Sequence, residues 1–222
     1  MAETTRIVLI RHGDAQMLID QVVGGHEGCR GLSALGVRQA EALRDRLART
    51  GELGHPSALY ASVLARAVQT AQIIAPALGA PPVVTDCSFC EIHVGEGDGM
   101  PWEEFELRYP PPADPDPFAS PSGGETWAEF TLRVAGALRR LVLDHRGETV
   151  VVVCHGGVVG GSMIALLGLP FHGAMVDLHV ENTSITQWQL DHHQHVPGRP
   201  PRWSLVRYND AAHLAEVDAD RV

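Results

Sequence analysis

The sequence predicts an α/β protein: a three-layer α/β/α sandwich with a mostly parallel central sheet and a cap insertion. Two observations carry this prediction. Short apolar runs, typical of buried strands, alternate with segments whose apolar residues recur at helical spacing. Such alternation favours a mostly parallel sheet that is covered on both faces. In addition, 222 residues with 45% hydrophobic content can bury a large core without disulfide bonds or a structural metal.

Five elements are predicted in the first half of the chain. In order, they are strand 6–10, helix 33–50, strand 58–62, helix 63–78 and strand 82–85. Ser33 is expected to cap the first helix, because a serine hydroxyl accepts from free N–H groups, and Gly51 is expected to end it. Ser62 is expected to cap the second helix in the same way.

The second half of the chain continues the pattern. In order, its predicted elements are helix 126–145, strand 149–154, helix 158–167, strand 182–190 and strand 203–208. The run 149–154 is the most apolar of the chain and is therefore the predicted central strand. Residues 109–124 contain six prolines and no periodicity, which indicates an insertion rather than a linker. We predict one domain over residues 1–222, with a cap at about 95–125.

The charge balance excludes several function classes. The formal net charge is −10, and all 17 basic residues are arginine. A protein this acidic repels polyanions, so nucleic-acid binding would need a concentrated basic patch, and the sequence shows none. Without lysine there can be no P-loop lysine, lysine Schiff base or lysine general base.

Composition also predicts the cellular setting. The chain starts without the basic and apolar segments of a signal peptide, and no apolar run approaches about 18 residues. Its four cysteines are too few and too scattered for a secreted disulfide framework. We expect a soluble, cytoplasmic protein with reduced thiols and a small-molecule partner. Neither nucleic acid nor a membrane is expected as a partner, and a homodimer stays open.

Two histidines follow predicted strands directly. His12 comes after strand 6–10 and His155 after strand 149–154, and the carboxyl ends of parallel strands are where ligands bind in open sheets. Arg11 adjoins the first histidine, and Arg66 lies in the first turn of a predicted helix, where the helix dipole favours anions. Two histidines and two arginines at strand ends predict a phosphate-sized cationic pocket in an otherwise acidic protein.

These residues belong to a longer series of motifs in a fixed order. The main ones are Arg11-His12-Gly13, Ser62-x-x-x-Arg66-Ala67-x-Gln69-Thr70-Ala71, Glu91 followed by Gly95, Gly123-Gly124-Glu125 and His155-Gly156-Gly157. Two more lie near the end, Asn182-Thr-Ser-Ile-Thr and Asn209-Asp-Ala-Ala-His-Leu. Each motif alone is weak, but together they cover nearly the whole chain. The sequence resembles the histidine phosphatase superfamily, also called phosphoglycerate mutase-like.

The resemblance implies a role for each residue. His12 would attack phosphorus through a ring nitrogen and form a phosphohistidine. Arg11 and Arg66 would bind phosphoryl oxygens, and His155 would stabilise the charge that develops on the transferring group. Glu91 would protonate the leaving group and then activate water.

One glycine and three further carboxylates complete the list of candidate site residues. Gly156, after the second histidine, is expected in the phosphate-binding set. Three nearby carboxylates stay open as alternatives to Glu91: Glu96, Asp98 and Glu125. No metal and no cofactor are required, since arginine and histidine supply the positive charge.

Departures from two subfamilies favour a hydrolase of the non-phytase branch. Phosphoglycerate mutases usually carry Asn six residues after the nucleophile, then Thr-Gly-Trp, and Glu-Arg-His-Tyr-Gly at the acid. This chain has Leu18, Gly24-Gly25-His26 and Glu91-Ile-His-Val-Gly95. Acid phosphatases and phytases typically have Arg-His-Gly-x-Arg-x-Pro and a His-Asp pair, and here Ala15 and Gly156 occupy the differing positions.

The functional prediction is a metal-independent phosphomonoesterase that acts through a phosphohistidine on a small phosphorylated metabolite. Two alternatives stay open: phosphoryl transfer within a substrate, as in a mutase, and a non-catalytic protein that binds a phosphorylated ligand. An intact Glu91 argues against the binding protein, because binding alone needs no proton donor.

Specificity is expected to lie in the cap. It offers apolar contacts from Trp102, Phe105, Tyr109 and Phe118 and a single cation, Arg108. One cation disfavours highly charged polyphosphates and favours a mostly neutral or aromatic leaving group.

One further pattern resembles half a zinc site. Cys87-Ser-Phe-Cys90 with His93 has suitable spacing, but no second pair of ligands follows at a suitable distance. We therefore expect packed or incidental thiols and no metal.

Overall fold

In the computed structural model, residues 4–110, 116–120, 122–169, 178–192, 202–215 and 217 are described. Among them lies a sheet of six strands in the order β3-β2-β4-β1-β5-β6. The strands are β1 (Thr4–Arg11), β2 (Ala58–Ala61), β3 (Val83–Thr85), β4 (Thr149–Cys154), β5 (Ile185–Asp191) and β6 (Arg202–Asp210). Strands β1 to β4 are mutually parallel, β5 runs antiparallel to β1, and β6 runs antiparallel to β5. The predicted mostly parallel sheet is confirmed.

Helices connect the strands. They are α1 (Gln16–Ile19), α2 (Ala34–Thr50), α3 (Ala65–Ile74), α4 (Trp102–Arg108), α5 (Trp127–Asp144) and α6 (Gly156–Leu167). Ser33 caps α2 by accepting from the N–H of Gly36, and Gly51 ends that helix in the left-handed conformation, as predicted. Among the described residues, no helix is both long and apolar enough to cross a bilayer.

Three predicted boundaries are wrong. Ser62 caps no helix: α3 starts at Ala65, and its N-cap residue, Leu64, makes no side-chain cap bond. The α-helix ends at Ile74 and continues only as a 3₁₀ turn, Ala75–Leu78, because Pro76 has no N–H to donate. Strand β5 starts three residues later than predicted, since Thr183 has a left-handed backbone with φ of 55°.

The sheet is buried on both faces because alternate side chains of its central strands enter two separate cores. On β4, Val150 and Val152 pack in the cluster formed with α5 and α6. Val151 and Val153 point the other way, into the cluster formed with α2 and α3. Burial on both faces explains why β4 is apolar at every position rather than at every second one.

The predicted cap is described only in part, since residues 111–115 and 121 lie outside the described ranges. Its described portion contains α4, a helix that the sequence did not predict. The N–H of Trp102 donates to the carbonyl of Gln21 (2.9 Å), which ties the start of α4 to the loop after α1.

An ion-pair network ties α2 to the last strand. Asp210 accepts from both terminal nitrogens of Arg46 (2.6 and 2.8 Å), and Arg46 also binds Glu52. Hydrogen bonds from Arg46 lower the pKa of Asp210 from 3.8 to about 2. Because the folded-state pKa is depressed, this stabilisation is present above pH 3.8 and is lost as the pH falls toward 2.

We expect Asp210→Asn to lower Tm at pH 7 by about 2–4 °C, the effect of ~1 kcal/mol in a chain of this size. The difference from the wild type should shrink between pH 4 and pH 2, as measured by thermal unfolding followed by circular dichroism. Asp45→Asn, which removes an exposed carboxylate that pairs with Arg44, is the control. If Asp210→Asn lowered Tm by the same amount at every pH, this account would be contradicted.

Candidate active site

Two parallel strands bring the two predicted histidines together. In the register of β1 and β4, Arg11 lies opposite Cys154, so His12 and His155 emerge side by side from the carboxyl end of the sheet. The N–H of His12 donates to the carbonyl of Cys154 (2.9 Å), and the two imidazole rings meet edge to face with centroids 5.0 Å apart. Neighbouring strands thus explain how residues 143 positions apart in sequence form one pair.

The hydrogen bonds of His12 define which ring nitrogen is free to react. Its Nδ1 lies 2.6 Å from the carbonyl oxygen of Gly13, which can only accept, so Nδ1 carries the proton. The lone pair is therefore on Nε2, which accepts from Nε of Arg66 (3.1 Å). Burial, together with the charges of Arg66 and Arg11, holds the pKa of His12 well below 6.5. His12 is a neutral imidazole whose unprotonated nitrogen, Nε2, faces Arg66.

Arg66 brings a buried positive charge to this lone pair. Its side chain is 1% exposed, and Nη1 donates to the carbonyl of Gly24 (3.0 Å). Arg66 stands near the start of α3, whose first N–H groups have no partner within the helix. The helix dipole and the guanidinium together favour an anion at this point.

His155 is fully buried and held by Ser62. Nε2 of His155 shares a hydrogen bond with the Ser62 hydroxyl (2.8 Å), which also accepts from the N–H of Leu64 (3.2 Å). Burial, Arg66 and the other imidazole hold the pKa of His155 well below 6.5. Ser62 therefore orients a neutral histidine instead of capping a helix.

Four buried side-chain polar atoms have no hydrogen-bond partner among the described residues, and two of them, both nitrogens, belong to this site. These two are Nε of Arg11 and Nδ1 of His155. Arg11 also donates through Nη1 to the carbonyl of Val180, and burial lowers the pKa of its guanidinium. Gly156 borders this arginine, since a Cβ there would lie 3.7 Å from Nε. Unpaired buried polar atoms are costly, so two of them beside Arg66 point to an anionic ligand.

Glu91 is fixed at the N-terminus of α6. One of its oxygens accepts from the N–H of Gly157 (3.0 Å) and the other from the N–H of Ile92 (3.1 Å). Glu91 also interacts electrostatically with Arg11, which in turn acts on both histidines. The carboxylate thus stands near the group of histidines and arginines.

The three alternative carboxylates are engaged elsewhere. Glu125 forms a two-pronged ion pair with Arg133 (2.6 and 2.8 Å). Asp98 accepts from the backbone N–H groups of residues 25, 27 and 28. Glu96 is exposed and pairs with Arg108 and the hydroxyl of Tyr109. Their partners leave Glu91 as the carboxylate that best fits a proton-transfer role.

Gly157 leaves the space that Glu91 occupies. A Cβ at position 157 would lie 2.0 Å from Oε1 of Glu91, whereas a Cβ at Gly160, one turn later, would meet nothing within 4 Å. We expect Gly157→Ala to displace the carboxylate and lower kcat for alkyl phosphates by roughly 10-fold or more. Gly160→Ala is the matched control and should keep the wild-type kcat. Equal kcat values in steady-state assays of both variants would contradict this placement of Glu91.

Two groups that support the His12 loop were noted in the sequence only as members of motifs. The N–H of Gly13 donates to the hydroxyl of Thr70 (3.1 Å), and the amide of Asn182 donates to the carbonyl of His12 (3.0 Å). Both partners come from distant parts of the chain, α3 and the turn before β5. Their occurrence in the motif series was the only signal that could have singled them out.

The predicted cap residues pack mostly on one another. Trp102 and Tyr109 each contact Phe105, with ring centroids 5.8 and 5.3 Å apart, and Arg108 lies over the ring of Tyr109. Phe118 is exposed. A cavity of about 210 Å³ beside Glu91 is lined by none of these five side chains. Its lining residues are Gly25, His26, Leu64, Glu91, Ile92, His93, Val94, Gly95 and Asp98.

The structure adds a fourth side chain to the half zinc site. His26, 61 residues before Cys87, lies beside Cys87, Cys90 and His93. The spacing argument considered only residues after the cysteines and could not include it.

The fold and this site match known proteins. The model of the histidine phosphatase superfamily (branch 1) matches residues 7–209. A metal-independent phosphoserine phosphatase of Arabidopsis thaliana is 30% identical over 97% of this chain and 86% of the relative. Phosphoglycerate mutase-like protein 4 of the same plant is 31% identical over 95% of this chain and 87% of the relative.

A solved structure agrees. The native structure of mycobacterial glucosyl-3-phosphoglycerate phosphatase Rv2419c superposes with a TM-score of 0.74 at 26% identity, covering 93% of this chain and 99% of that one. The predictions of an α/β fold and of a phosphatase-type enzyme are confirmed. Since the family model spans most of its length, the chain belongs to the histidine phosphatase superfamily, branch 1.

Proposed function

We propose that this chain, a phosphoric monoester hydrolase, cleaves small phosphate monoesters through a phosphohistidine on Nε2 of His12. The observation that carries the proposal is the neutral, buried His12, whose Nε2 lone pair faces Arg66 while its Nδ1 proton is held by a backbone carbonyl. A histidine can attack phosphorus only through an unprotonated nitrogen, and this arrangement keeps one available.

In the first step, Nε2 of His12 attacks phosphorus and the ester P–O bond breaks. Arg11 and Arg66 bind the phosphoryl oxygens. His155 donates a hydrogen bond to the phosphoryl group and stabilises the negative charge that develops on it during transfer. The unpaired nitrogens of Arg11 and His155 support these contacts, because a phosphoryl oxygen would satisfy both. Glu91 gives its proton to the departing alkoxide, so an alcohol leaves and Glu91 becomes a carboxylate.

In the second step, the phosphohistidine is hydrolysed. Glu91 takes a proton from water, the water oxygen attacks phosphorus, and the P–N bond to His12 breaks. Inorganic phosphate leaves, and His12 and Glu91 return to their starting protonation states. No metal takes part in either step, since two guanidinium groups neutralise the phosphoryl charge.

The substrate class is a small phosphate monoester with an uncharged or weakly charged leaving group. Relatives and structural neighbours include proteins named for phosphoserine and glucosyl-3-phosphoglycerate. The cavity beside Glu91 has apolar walls from Leu64, Ile92 and Val94. Arg108, the single cation predicted in the cap, is paired with Glu96, which supports the exclusion of polyphosphates.

A phosphate-release assay tests the activity. We expect the purified protein to release phosphate from an aryl phosphate in the presence of EDTA, because the pocket takes its charge from Arg11 and Arg66. Parallel assays with added Mg²⁺, Mn²⁺ or Zn²⁺ are the control and should give comparable rates. Turnover that appears only with an added divalent ion would contradict this mechanism.

The same protein should be assayed for mutase activity. The positions that differ from the mutase motifs lack its polar residues, so we expect isomerisation of 3-phosphoglycerate to be slow relative to hydrolysis of its phosphate. Rapid formation of 2-phosphoglycerate, stimulated by the bisphosphate, would make the chain a mutase.

A further inference from the structure

Four side chains with metal-binding atoms converge beside the Glu91 segment. They are the thiols of Cys87 and Cys90 and the imidazoles of His26 and His93, and one ligand atom from each lies within 4.8 Å of all the others. Cys87 Sγ lies 2.8 Å from Cys90 Sγ, 3.5 Å from Nε2 of His93 and 3.7 Å from Nε2 of His26. None of the four is a group that we assign to phosphoryl transfer.

These separations suit a tetrahedral zinc-type ion. Zinc bonds of about 2.3 Å to sulfur and about 2.0–2.1 Å to nitrogen place neighbouring ligand atoms roughly 3.3–3.8 Å apart. Both distances from Cys87 to histidine nitrogens fall in this range. The two sulfur atoms would have to separate by about 1 Å, a movement that small side-chain rotations can supply.

A hydrogen-bonded turn brings the two thiols to the same side of the backbone. A 3₁₀ turn, Cys87–Phe89, is capped by the carboxylate of Asp86, and the N–H of Cys90 donates to the carbonyl of Cys87 (3.0 Å). Arg133 donates to three carbonyls of this segment, those of Cys87, Ser88 and Cys90 (3.0–3.2 Å). The turn is therefore fixed without help from any ligand.

The backbone segments that carry the two histidines are also fixed by carboxylates. The N–H of His93 donates to Glu125 (3.3 Å), and the same carboxylate oxygen lies 3.9 Å from Nδ1 of His93, near the position where metal-binding histidines commonly have a carboxylate partner. The loop that carries His26 is fastened by Asp98, which accepts from the N–H groups of Gly25, Glu27 and Gly28 (2.9 Å each).

We propose that Cys87, Cys90, His93 and His26 form a structural site for one divalent ion of the zinc class. Zinc is the ion that two thiolates and two imidazoles in a tetrahedron favour. On binding, both thiols lose their protons to solvent and both imidazoles bind through unprotonated nitrogens, so two protons leave for each ion. The ion would fasten the loop at residues 25–28 to the segment that carries Glu91.

This ion has no part in phosphoryl transfer. None of its four ligands is a group that transfers a proton or binds the phosphoryl group: Cys90, the buried ligand, precedes Glu91 in sequence and contacts the Ser62 hydroxyl (3.3 Å), which also bonds His155. The effect of the ion is on the stability of the segment between Cys87 and Gly95 and on the cavity that His26 and His93 help to line.

Cobalt and zinc binding to the full chain tests the site. The protein is reduced, freed of metal with a chelator, and titrated with Co²⁺ and then Zn²⁺ under reducing conditions. We expect one Co²⁺ per chain, with thiolate charge-transfer absorption and the intense visible bands of tetrahedral cobalt, displaced by one Zn²⁺. Zinc should raise Tm by about 5 °C or more, because it binds the folded state.

Substitutions of single ligands test whether the cobalt absorption and the zinc-dependent Tm shift arise from this cluster. His26 is exposed, so His26→Asn should not disturb folding, and we expect it to weaken cobalt binding by about 100-fold or more and to remove most of the zinc-dependent Tm shift. Cys87→Ser should lower the charge-transfer absorption. His55→Asn and Cys29→Ser, which change a histidine and a cysteine outside the cluster, are the matched controls and should bind cobalt as the wild type does.

Three results would overturn the proposal. The first is reduced wild-type protein that takes up no stoichiometric metal. The second is a His26→Asn variant with unchanged affinity and spectrum. The third is a protein isolated with two thiols fewer than its four cysteines that binds no metal after reduction, which would identify Cys87 and Cys90 as a redox pair.

Discussion

Replacing His12 by Ala is expected to lower the phosphatase rate by roughly 10⁴-fold or more, because no other group in the pocket can form the covalent intermediate. The neighbouring imidazole, His155, is hydrogen-bonded through Nε2 to Ser62 (2.8 Å), and its ring lies edge to face with that of His12. The change should leave the two cores intact, since neither contains His12. Circular dichroism and thermal unfolding check the fold.

Trapping the intermediate separates a nucleophile from a binding residue. Brief reaction with a ³²P-labelled ester, followed by quenching, should label the wild type with an adduct that is stable to base and labile to acid, as a phosphohistidine is. His12→Ala should carry no label. His55→Ala, which removes an exposed histidine, is the control and should be labelled as the wild type is. Persistent label in the His12 variant would assign the nucleophile elsewhere.

The neutral state of both histidines is a consequence of where the fold puts them. Each follows a central strand that is buried on both faces, so burial disfavours a charged ring, and Arg66 adds repulsion. The bound phosphoryl group would bring the missing negative charge to the two arginines. The free site is thus arranged for an anion that the protein itself does not provide, in keeping with electrostatic preorganisation.

The sheet could be predicted from the sequence because each strand signal is local. The run at 149–154 is apolar throughout, and the structure has β4 at those same residues. His12 and His155 could be predicted as neighbours for the same reason, because parallel strands present their carboxyl ends at one edge. Arg66 could be predicted from its place in the first turn of a helix, where anions are favoured. Motif order added Glu91, whose distance in sequence from the other site residues carries no spatial information.

What could not be predicted depends on tertiary contacts. Ser62 has the residue type and the position of a helix cap, yet its hydroxyl is hydrogen-bonded to His155, a partner 93 residues away. His26 gives no local sign that it lies beside Cys87, because the loop at residues 25–28 is positioned by Asp98. In both cases the contact partner is distant in sequence, so only the packed fold identifies it.

Replacing Glu91 by Gln is expected to affect ester substrates according to their leaving groups. An alkyl alkoxide is strongly basic and must be protonated as it departs, whereas a nitrophenolate leaves without help. Glutamine has nearly the same shape, and its oxygen can still accept from the N–H of Gly157, which Glu91 does at 3.0 Å. The substitution therefore removes the proton donor and largely preserves the position of the side chain.

We expect Glu91→Gln to lower the rate with alkyl phosphates by roughly 100-fold or more and to leave phosphorylation by a nitrophenyl phosphate nearly unchanged. The comparison must use the burst of nitrophenolate in the first turnover, because Glu91 also activates water in the second step and steady-state rates would mix the two effects. The burst should persist in the variant while the later steady rate falls. Glu96→Gln, which removes an exposed carboxylate paired with Arg108, is the control and should keep both phases. Equal losses for alkyl and aryl esters in the burst would make Glu91 an electrostatic or structural group rather than the acid.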